Sequence, residues 1–374
     1  MRILLVSPYF YPEGGGLGLY AFNMAKVISK KNDVVVLCST KNDFKTRNFD
    51  CTEKRFKIIR LRPDFFISNT PINFNLKKQI EIIVKEENID LINAHTPVPF
   101  YADVACLVAK KYNLPFVLNY HSSSLYKKRI FLDLMAFFYE ILFESQVFLN
   151  SNKIILASSM KNIKNNLTKH LSKVVYIPPC VNMKKGKNFE LNHKKEILFV
   201  AQLSKSHEWK GLENLIRAFK IFVDRGGDCT LSIVGGGNKL DSYKKLVRKL
   251  GLEKYVQFFG NVNNELMCKH YERCSFVVVP SVSNVEGTPT VMLEAITKGK
   301  PIIGGNVGGI LDVLIENRCG MIVNAKNIDW LADAMYKLNG NIELYTNLSK
   351  NCLRASEKFN TDVFAEKIER EIEK

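Results

Sequence analysis

Two glutamates, Glu286 and Glu294, bracket the run Gly287-Thr288-Pro289-Thr290-Val291-Met292-Leu293. Thr288 has the side chain of a helix N-cap, and Pro289 is the residue type favoured at a first helical position, where a missing N–H forfeits no hydrogen bond. This places Glu286 in the loop before a helix and Glu294 on its second turn. The N–H groups of Thr290 and Val291 are then free at the helix N-terminus, a ready anion site. Two carboxylates flanking a phosphate-sized site suit a ligand with hydroxyls on either side of a diphosphate, because the two oxygens of a carboxylate pair with a vicinal diol. Glutamates near helix starts also commonly do no more than stabilise the helix, and the pair alone does not exclude that.

A second constellation is the glycine run Gly14-Gly15-Gly16-Leu17-Gly18, which satisfies a loose G-x-G-x-x-A pattern from Gly16 to Ala21. In a nicotinamide fingerprint the first glycine follows the first strand directly and an acidic residue ends the second strand. Here Pro8 to Glu13 intervene, and Val34–Cys38 leads into Ser39-Thr40, so that reading fails. Two histidines follow apolar runs: His95 after Leu91-Ile92-Asn93, and His121 after Val117-Leu118-Asn119-Tyr120. Both are expected just beyond strands, pointing toward a ligand; a structural histidine is the competing reading, weightier for His95.

The elements that position these residues come from alternation. Ile3–Val6, Val34–Cys38, Ile58–Leu61, Asp90–Asn93, Phe116–Asn119 and Ile154–Ala157 are short Val/Ile/Leu-rich runs separated by crossover-length segments, which predicts a parallel sheet covered on both faces. A second series holds Ile197–Ala201, Thr230–Val234, Val256–Phe259, Phe276–Val279 and Pro301–Gly304. The lysine- and turn-rich stretch from Ile177 to Lys187 reads as the linker. The expected fold is α/β, with two Rossmann-like parallel-sheet domains facing across a cleft: residues 1–183, then 184–360, with an amphipathic helix over 361–374 returning to the first. Doubly wound sheets bind ligands beyond the carboxyl ends of their strands, so such a pair pools its ligand edges.

Composition sets bounds. The 374 residues are 46% hydrophobic and 24% charged, enough for two packed cores. Nine cysteines, an odd number without a CxxC pair, argue for reduced thiols rather than a disulfide framework or a zinc site. No run of 18 uninterrupted apolar residues occurs, so a cytoplasmic protein is expected. The net charge of +17 is uneven: residues 1–187 carry 28 Lys/Arg against 14 Asp/Glu, and 188–374 carry 26 against 23. Such a field favours anionic partners. The segment from Arg129 to Phe143, preceded by Lys127-Lys128, is too short and too interrupted by Asp133 and Glu140 to span a bilayer. It is expected to bury its apolar face on the first sheet, while the basic surroundings favour contact with an anionic membrane at the inner face of the cell membrane.

The segment from Glu286 to Glu294 resembles the Glu-x7-Glu motif of retaining glycosyltransferases with the GT-B fold, especially glycosyltransferase family 4. Ile233-Val234-Gly235-Gly236-Gly237, Phe259-Gly260, Pro280-Ser281, Leu293-Glu294-Ala295, Gly299-Lys300-Pro301 and Gly308-Gly309 recur in the family's order, most closely over residues 195–325. The resemblance implies that Glu294 accepts hydrogen bonds from the ribose of the donor nucleotide and that Glu286 holds hydroxyls of the transferred sugar. Thr288, Pro289, Thr290 and Gly235 would present backbone to the donor. Lys210, in His207-Glu208-Trp209-Lys210-Gly211, matches the basic residue that neutralises the leaving diphosphate. Gln202 stands where the family usually has an arginine, leaving Lys205 or Arg217 as substitutes. Gly15 and Gly16 would abut the diphosphate and acceptor, and His121 the transferred sugar. Gly14, Leu17 and Gly18 would only form the loop.

The implied activity moves a sugar from a UDP- or GDP-linked donor to a hydroxyl of a glycan or lipid-linked acceptor, in cell-surface polysaccharide or glycolipid synthesis. No cofactor, metal or nucleic acid is expected. A nucleotide-sugar 2-epimerase on the same architecture is the alternative, and requires acid/base carboxylates at the sugar. A non-catalytic nucleotide-sugar or lipid-surface binder accounts poorly for two glutamates and Lys210 together.

Overall fold

The computed structural model describes residues 1–40, 56–67, 70–96, 98–121, 130–158, 165–186 and 196–372. Lys127, Lys128, Arg129, Lys187 and Cys51 lie outside the described residues. The chain forms two compact units, Met1–Cys180 with Thr361–Lys374, and Val181–Asn360.

The first unit holds β1 (Arg2–Ser7), β2 (Asp33–Ser39), β3 (Phe56–Leu61), a small hairpin of β4 (Phe65–Ile67) and β5 (Thr70–Ile72), β6 (Leu91–Thr96), β7 (Phe116–Tyr120), β8 (Lys153–Leu156) and β9 (Val174–Tyr176). Apart from the hairpin these form one parallel sheet in the order β3-β2-β1-β6-β7-β8-β9. Helices α1 (Gly15–Ile28), α2 (Leu76–Glu86), α3 (Tyr101–Lys111), α4 (Ile130–Tyr139), α5 (Ser145–Asn150) and α6 (Asn165–Thr168) lie between strands. Nearly every residue of β1, β2, β6 and β7 is buried, as expected of a sheet covered on both faces. β6 runs farther than the apolar run suggests. Ala94, His95 and Thr96 continue the ladder opposite Leu118, Asn119 and Tyr120, so His95 lies inside the strand rather than beyond it.

The second unit holds β10 (Glu196–Val200), β11 (Thr230–Val234), β12 (Val256–Gly260), β13 (Phe276–Val279), β14 (Ile302–Gly305) and β15 (Gly320–Val323) in a parallel sheet ordered β12-β11-β10-β13-β14-β15. Around it are α7 (Leu212–Asp224), α8 (Leu240–Lys249), α9 (Asn264–Arg273), α10 (Thr290–Thr297), α11 (Gly308–Asn317), α12 (Ile328–Gly340) and α13 (Ile342–Ala355). In both sheets the strand order reverses, at β1/β6 and at β10/β13, and the crevice at such a reversal is where doubly wound sheets take ligands.

The final helix, α14 (Thr361–Ile372), packs onto the first unit: Phe364, Ala365, Ile368 and Ile372 join Tyr20 and the α1 face in one core. Lys31 Nζ meets Glu369 at 2.5 Å and Lys153 Nζ meets Glu371 at 3.2 Å. The stretch expected as a linker is pinned on both sides. Ile177 N–H donates to Leu156 O, Val181 N–H to Phe359 O and Gly186 N–H to Thr297 O. The crossing from one unit to the other therefore falls at Cys180/Val181.

Two expectations change with this division. Counted by unit, the first carries 28 Lys/Arg against 19 Asp/Glu and the second 26 against 18. Lys184, Lys185 and Lys187 pass to the second unit and the acidic 361–374 segment joins the first, so the unevenness belongs to the sequence halves and not to the folded units. The second concerns α4 and the turn after it, where several of the described apolar side chains are not buried. Leu134, Phe137, Phe138, Ile141, Leu142 and Phe143 are about half exposed, whereas Ala136, Glu144, Val147 and Phe148 are buried. A wide π-turn over Glu140–Glu144, closed by Ser145 N–H on Glu140 O, follows α4, and its one extra residue rotates the face of the segment after it. Here Tyr139, which donates to Asp103 at 2.9 Å, and Glu144, which accepts from Tyr120 at 3.2 Å, are directed inward in place of the apolar side chains.

Candidate functional site

In the second unit the sequence-derived residues gather after β13 and β10, the strands flanking the reversal. Lys210 ends a short 3-10 turn (Lys205–Lys210) and is followed by Gly211 in the left-handed region, φ 77°. A β-carbon at Gly211 would lie 2.0 Å from the carbonyl oxygen of Pro280, and Val282 N–H donates to Trp209 O at 2.9 Å. These contacts clamp Lys210 against the loop that follows β13. Lys210 Nζ donates to Glu286 Oε1 at 2.9 Å and Oε2 at 2.7 Å, and sits 4.5 Å from the centre of the Trp209 ring. Ser281 Oγ donates to Glu286 Oε2 at 2.6 Å. Glu286 is buried, so its charge is sustained by these partners, as a desolvated carboxylate requires.

Helix α10 starts one residue later than expected. Pro289 (φ −66°, ψ 125°) takes the cap position, Thr290 is the first helical residue, and no side chain caps the helix. Thr288 does not cap because it is turned toward the start of α11: a β-carbon on Gly309 would meet Thr288 Oγ1 at 2.6 Å. That hydroxyl is buried without a hydrogen-bond partner. The first turn of α10 carries no acidic residue either, so the positive end of the helix dipole stays open to an anion. Glu294, on the second turn, accepts from Tyr271 OH at 2.6 Å. Burial pushes its carboxyl above the usual range, with the Tyr271 hydroxyl acting the other way.

Gln202 is exposed, between Ala201, whose N–H donates to Val234 O, and Leu203, whose N–H donates to Gly236 O. Gly235 N–H donates to Gly260 O at 2.7 Å, so Gln202 and Gly235 occupy the ends of adjacent strands. Among the described residues no hydrogen bond joins Gln202 to Lys210 or Glu286. Arg217 is paired with Glu213 on the surface of α7, Nη2 to Oε1 at 2.8 Å, and Lys205 is exposed. Ser281, Tyr271 and Trp209 are partners that sequence reasoning missed. Ser281 had a signal, a hydroxyl in the loop of Glu286, whereas nothing in the sequence ties Tyr271 to Glu294.

The first unit assembles a separate cluster. The loop from Pro8 to Glu13 is tied down by Thr40 Oγ1 donating to Glu13 Oε1 (2.9 Å) and Arg60 Nη2 donating to Tyr11 O (2.7 Å). It delivers Gly15 and Gly16 at the start of α1, with nothing within 4 Å of where a β-carbon would stand. Gly14 and Gly18, by contrast, touch Tyr9 and the Glu13 carbonyl. Tyr20, further along α1, sets its ring edge-on to His121 at 4.7 Å. His121 follows β7 directly and lies edge to edge with His95, the rings close to coplanar (centroids 5.2 Å apart, 19° between planes), with His95 Nδ1 and His121 Nε2 2.9 Å apart. Burial holds His95 well below the usual imidazole range and brings His121 down to about 3, so both rings are neutral at physiological pH.

Comparison with known proteins identifies the family to which both units belong. Over its full length the chain is 26% identical, across 368 residues, to an uncharacterised glycosyltransferase of Methanocaldococcus jannaschii, spanning 96% of this chain and 94% of the relative. A GDP-mannose-dependent alpha-(1-6)-phosphatidylinositol monomannoside mannosyltransferase of Mycobacterium tuberculosis is 28% identical over 165 residues, 43% of this chain and 42% of that protein. The crystal structure of Anabaena HepE in complex with UDP-glucose superposes with a TM-score of 0.73 at 17% identity, covering 100% of this chain and 99% of that one. This shared architecture is the GT-B fold. Residues 14–185 match the model of glycosyltransferase family 4 and residues 182–354 that of the glycosyl transferases group 1. With these two matches covering both units, the chain belongs to the group 1, family 4 glycosyltransferases and is a sugar-transferring enzyme.

Proposed function

We propose that the chain is a retaining glycosyltransferase that moves a sugar from a UDP- or GDP-linked donor to a hydroxyl of a glycan or lipid-linked acceptor, in cell-surface polysaccharide or glycolipid synthesis. The second unit takes the donor and the first the acceptor. The observation that carries this reading is the buried Glu286 carboxylate held by Lys210 and Ser281 beside an uncapped helix start, with Glu294 one turn further on.

In this reading the diphosphate lies at the open N-terminus of α10 within reach of Lys210, the ribose diol on Glu294, and the sugar hydroxyls on Glu286. Gly15, Gly16, Gly235, Thr288, Pro289 and Thr290 offer backbone rather than bulk, and Gln202 contacts the phosphates as a neutral donor. The bond from the anomeric carbon to the phosphate oxygen breaks, and the acceptor hydroxyl forms the new bond on the same face. Its proton goes to the departing phosphate, so no protein base is assigned. Lys210 acts on the charge that develops on that phosphate, and no cofactor or metal is assigned. The UDP-glucose complex of HepE and the GDP-mannose dependence of the mycobacterial relative support a nucleotide-sugar donor and leave its base open.

The exposed apolar residues of α4 and the π-turn, preceded in sequence by Lys127, Lys128 and Arg129, support peripheral contact with an anionic membrane that carries the acceptor. The mycobacterial relative, named for phosphatidylinositol monomannoside, supports the same choice. Among the described residues no helix is long and apolar enough to cross a membrane.

A panel of nucleotide sugars tested by thermal shift identifies the donor, since a ligand at 100 times its dissociation constant stabilises by about 2.7 kcal/mol. The anomeric configuration of the product, read by NMR, then tests retention. Conversion of the nucleotide sugar to its epimer without any acceptor would overturn the transferase reading of this site.

A further inference from the structure

The contact between His95 and His121 involves the near nitrogens of two neutral rings, so it contains one proton. Either His95 Nδ1–H donates to His121 Nε2, or His121 Nε2–H donates to His95 Nδ1. The other nitrogen of His95, Nε2, is buried and has no hydrogen-bond partner. In the first arrangement that nitrogen is a bare acceptor; in the second it is an orphaned buried N–H, the rarer kind of unmet group in folded proteins. The first arrangement therefore prevails, and it fixes His121 as well. With its Nε2 accepting, the single proton of a neutral imidazole must sit on Nδ1, at the end of the ring away from His95.

The surroundings hold this geometry. His95 is fully buried inside β6, in register with Asn119, and His121 N–H is anchored on Thr96 O at 3.2 Å. Tyr20 closes on the His121 ring edge-on and is itself backed by Phe364 of α14 at 5.3 Å. Two residues earlier on each strand, Asn119 Nδ2 donates to Asn93 Oδ1 at 2.8 Å, so the polar pairs form a short ladder leading to His121. His121 keeps partial access to solvent while His95 has none.

We propose that His95 is a positioning residue: by donating its Nδ1 proton to His121 it locks His121 as a neutral Nδ1–H donor, the form in which His121 contacts an oxygen of the transferred sugar. The sugar contact rests on the glycosyltransferase reading above; the tautomer does not, and the test separates them.

The chain has six histidines, few enough for their side-chain nitrogens to be resolved by long-range proton–nitrogen NMR. In the wild-type protein, without ligand, His121 should show a protonated Nδ1 and a bare Nε2 unchanged from pH 5 to 8. His95→Asn retains an amide donor near the ring position and should keep that pattern with near-wild-type turnover. His95→Leu removes the donor; His121 should then populate both tautomers, and kcat should fall about 10–100-fold, the usual loss when an orienting partner is removed, while the dissociation constant for UDP stays within about twofold. A wild-type His121 protonated on Nε2 overturns the proposal, and this result stands even where His95→Leu fails to fold. Equal kcat and equal tautomers for His95→Asn and His95→Leu overturn it too. Normal kcat for His121→Ala would instead overturn the sugar contact, a failure of the functional reading that leaves the spectra unaffected.

Discussion

Lys210→Ala separates what Lys210 does for the fold from what it does for the reaction. The substitution leaves Glu286, whose side chain is 6% exposed, with Ser281 as its remaining donor in place of two Lys210 contacts at 2.7 and 2.9 Å. Removing one partner of a buried ion pair costs about 3–5 kcal/mol, and because the Lys210 side chain is 21% exposed the lower end applies, about 3 kcal/mol. At about 2–4 °C per kcal/mol for a unit of this size, the melting temperature should drop by about 6–12 °C. Glu286→Gln in the Lys210→Ala background removes the stranded charge and should recover most of that loss, read by denaturant titration followed by calorimetry. Turnover should behave differently. If Lys210 acts on charge developing on the leaving diphosphate, its loss costs about 10²–10³ in kcat, with a smaller loss in donor affinity, and Glu286→Gln does not restore it. A double variant that regains both stability and turnover would refute the reasoning, since Lys210 would then only neutralise Glu286. Undiminished stability in Lys210→Ala would refute the burial argument itself.

Other consequences can be measured directly. Glu294→Ala should weaken donor binding by calorimetry, while Glu286→Ala mainly lowers kcat; equal, near-wild-type kinetics in both would dissolve the site assignment. For pH, His95 and His121 have folded-state values below the ordinary 6.5, so below about pH 6.5 the unfolded chain binds more protons than the native one. Stability should therefore fall as pH drops toward 4, by at most about 1.4 kcal/mol per pH unit for each histidine, and His95→Asn should flatten the profile; an unchanged slope would count against two neutral rings. Co-sedimentation with vesicles should rise with anionic lipid, fall in high salt and weaken in Phe137→Ser/Phe138→Ser/Leu142→Ser, whereas equal binding to neutral and anionic vesicles would return the α4 face to another use.

The alternation of apolar runs gave the major strands of both sheets to within a few residues, because strands buried on both faces must be continuously apolar. The short edge strands Val174–Tyr176 and Gly320–Val323 and the Phe65–Ile72 hairpin carry too few residues to produce that signal. The position of His95 was misjudged for a related reason: His95 and Thr96 are polar yet buried, with His95 Nδ1 paired to His121 and both residues in the ladder, and a hydropathy reading ends the strand at Asn93. The π-turn at Glu140–Glu144 has no sequence signature, and it sets the facing of the residues that follow α4. Glu286, Glu294 and Lys210 were legible as residue types, and Ser281 as a hydroxyl in the loop of Glu286, but Tyr271 was not, since its role arises only when α9 packs against α10.

The Lys210–Glu286 pair also bears on how such a site accelerates its reaction. In the ligand-free enzyme the lysine charge is already matched by a buried carboxylate at hydrogen-bond distance. A diphosphate arriving beside Lys210, as proposed, would therefore gain less than it would from an unpaired cation, because the lysine would share its three N–H groups between Glu286 and phosphate. If the donor phosphate lies beside Lys210 as proposed, negative charge on it rises as the sugar departs, and the lysine would respond most strongly at that stage. Interactions that strengthen between ground and transition state raise kcat, whereas those equal in both lower only KM. On the proposed assignment, pairing Lys210 with a glutamate thus biases its contribution toward the transition state. The same carboxylate, fixed at one oxygen by Ser281, keeps its geometry while the lysine shifts. On this argument Ser281→Ala should lower kcat more than it changes nucleotide affinity, by releasing Glu286 to follow Lys210; a purely affinity-level effect would show that Ser281 holds the loop and not the carboxylate.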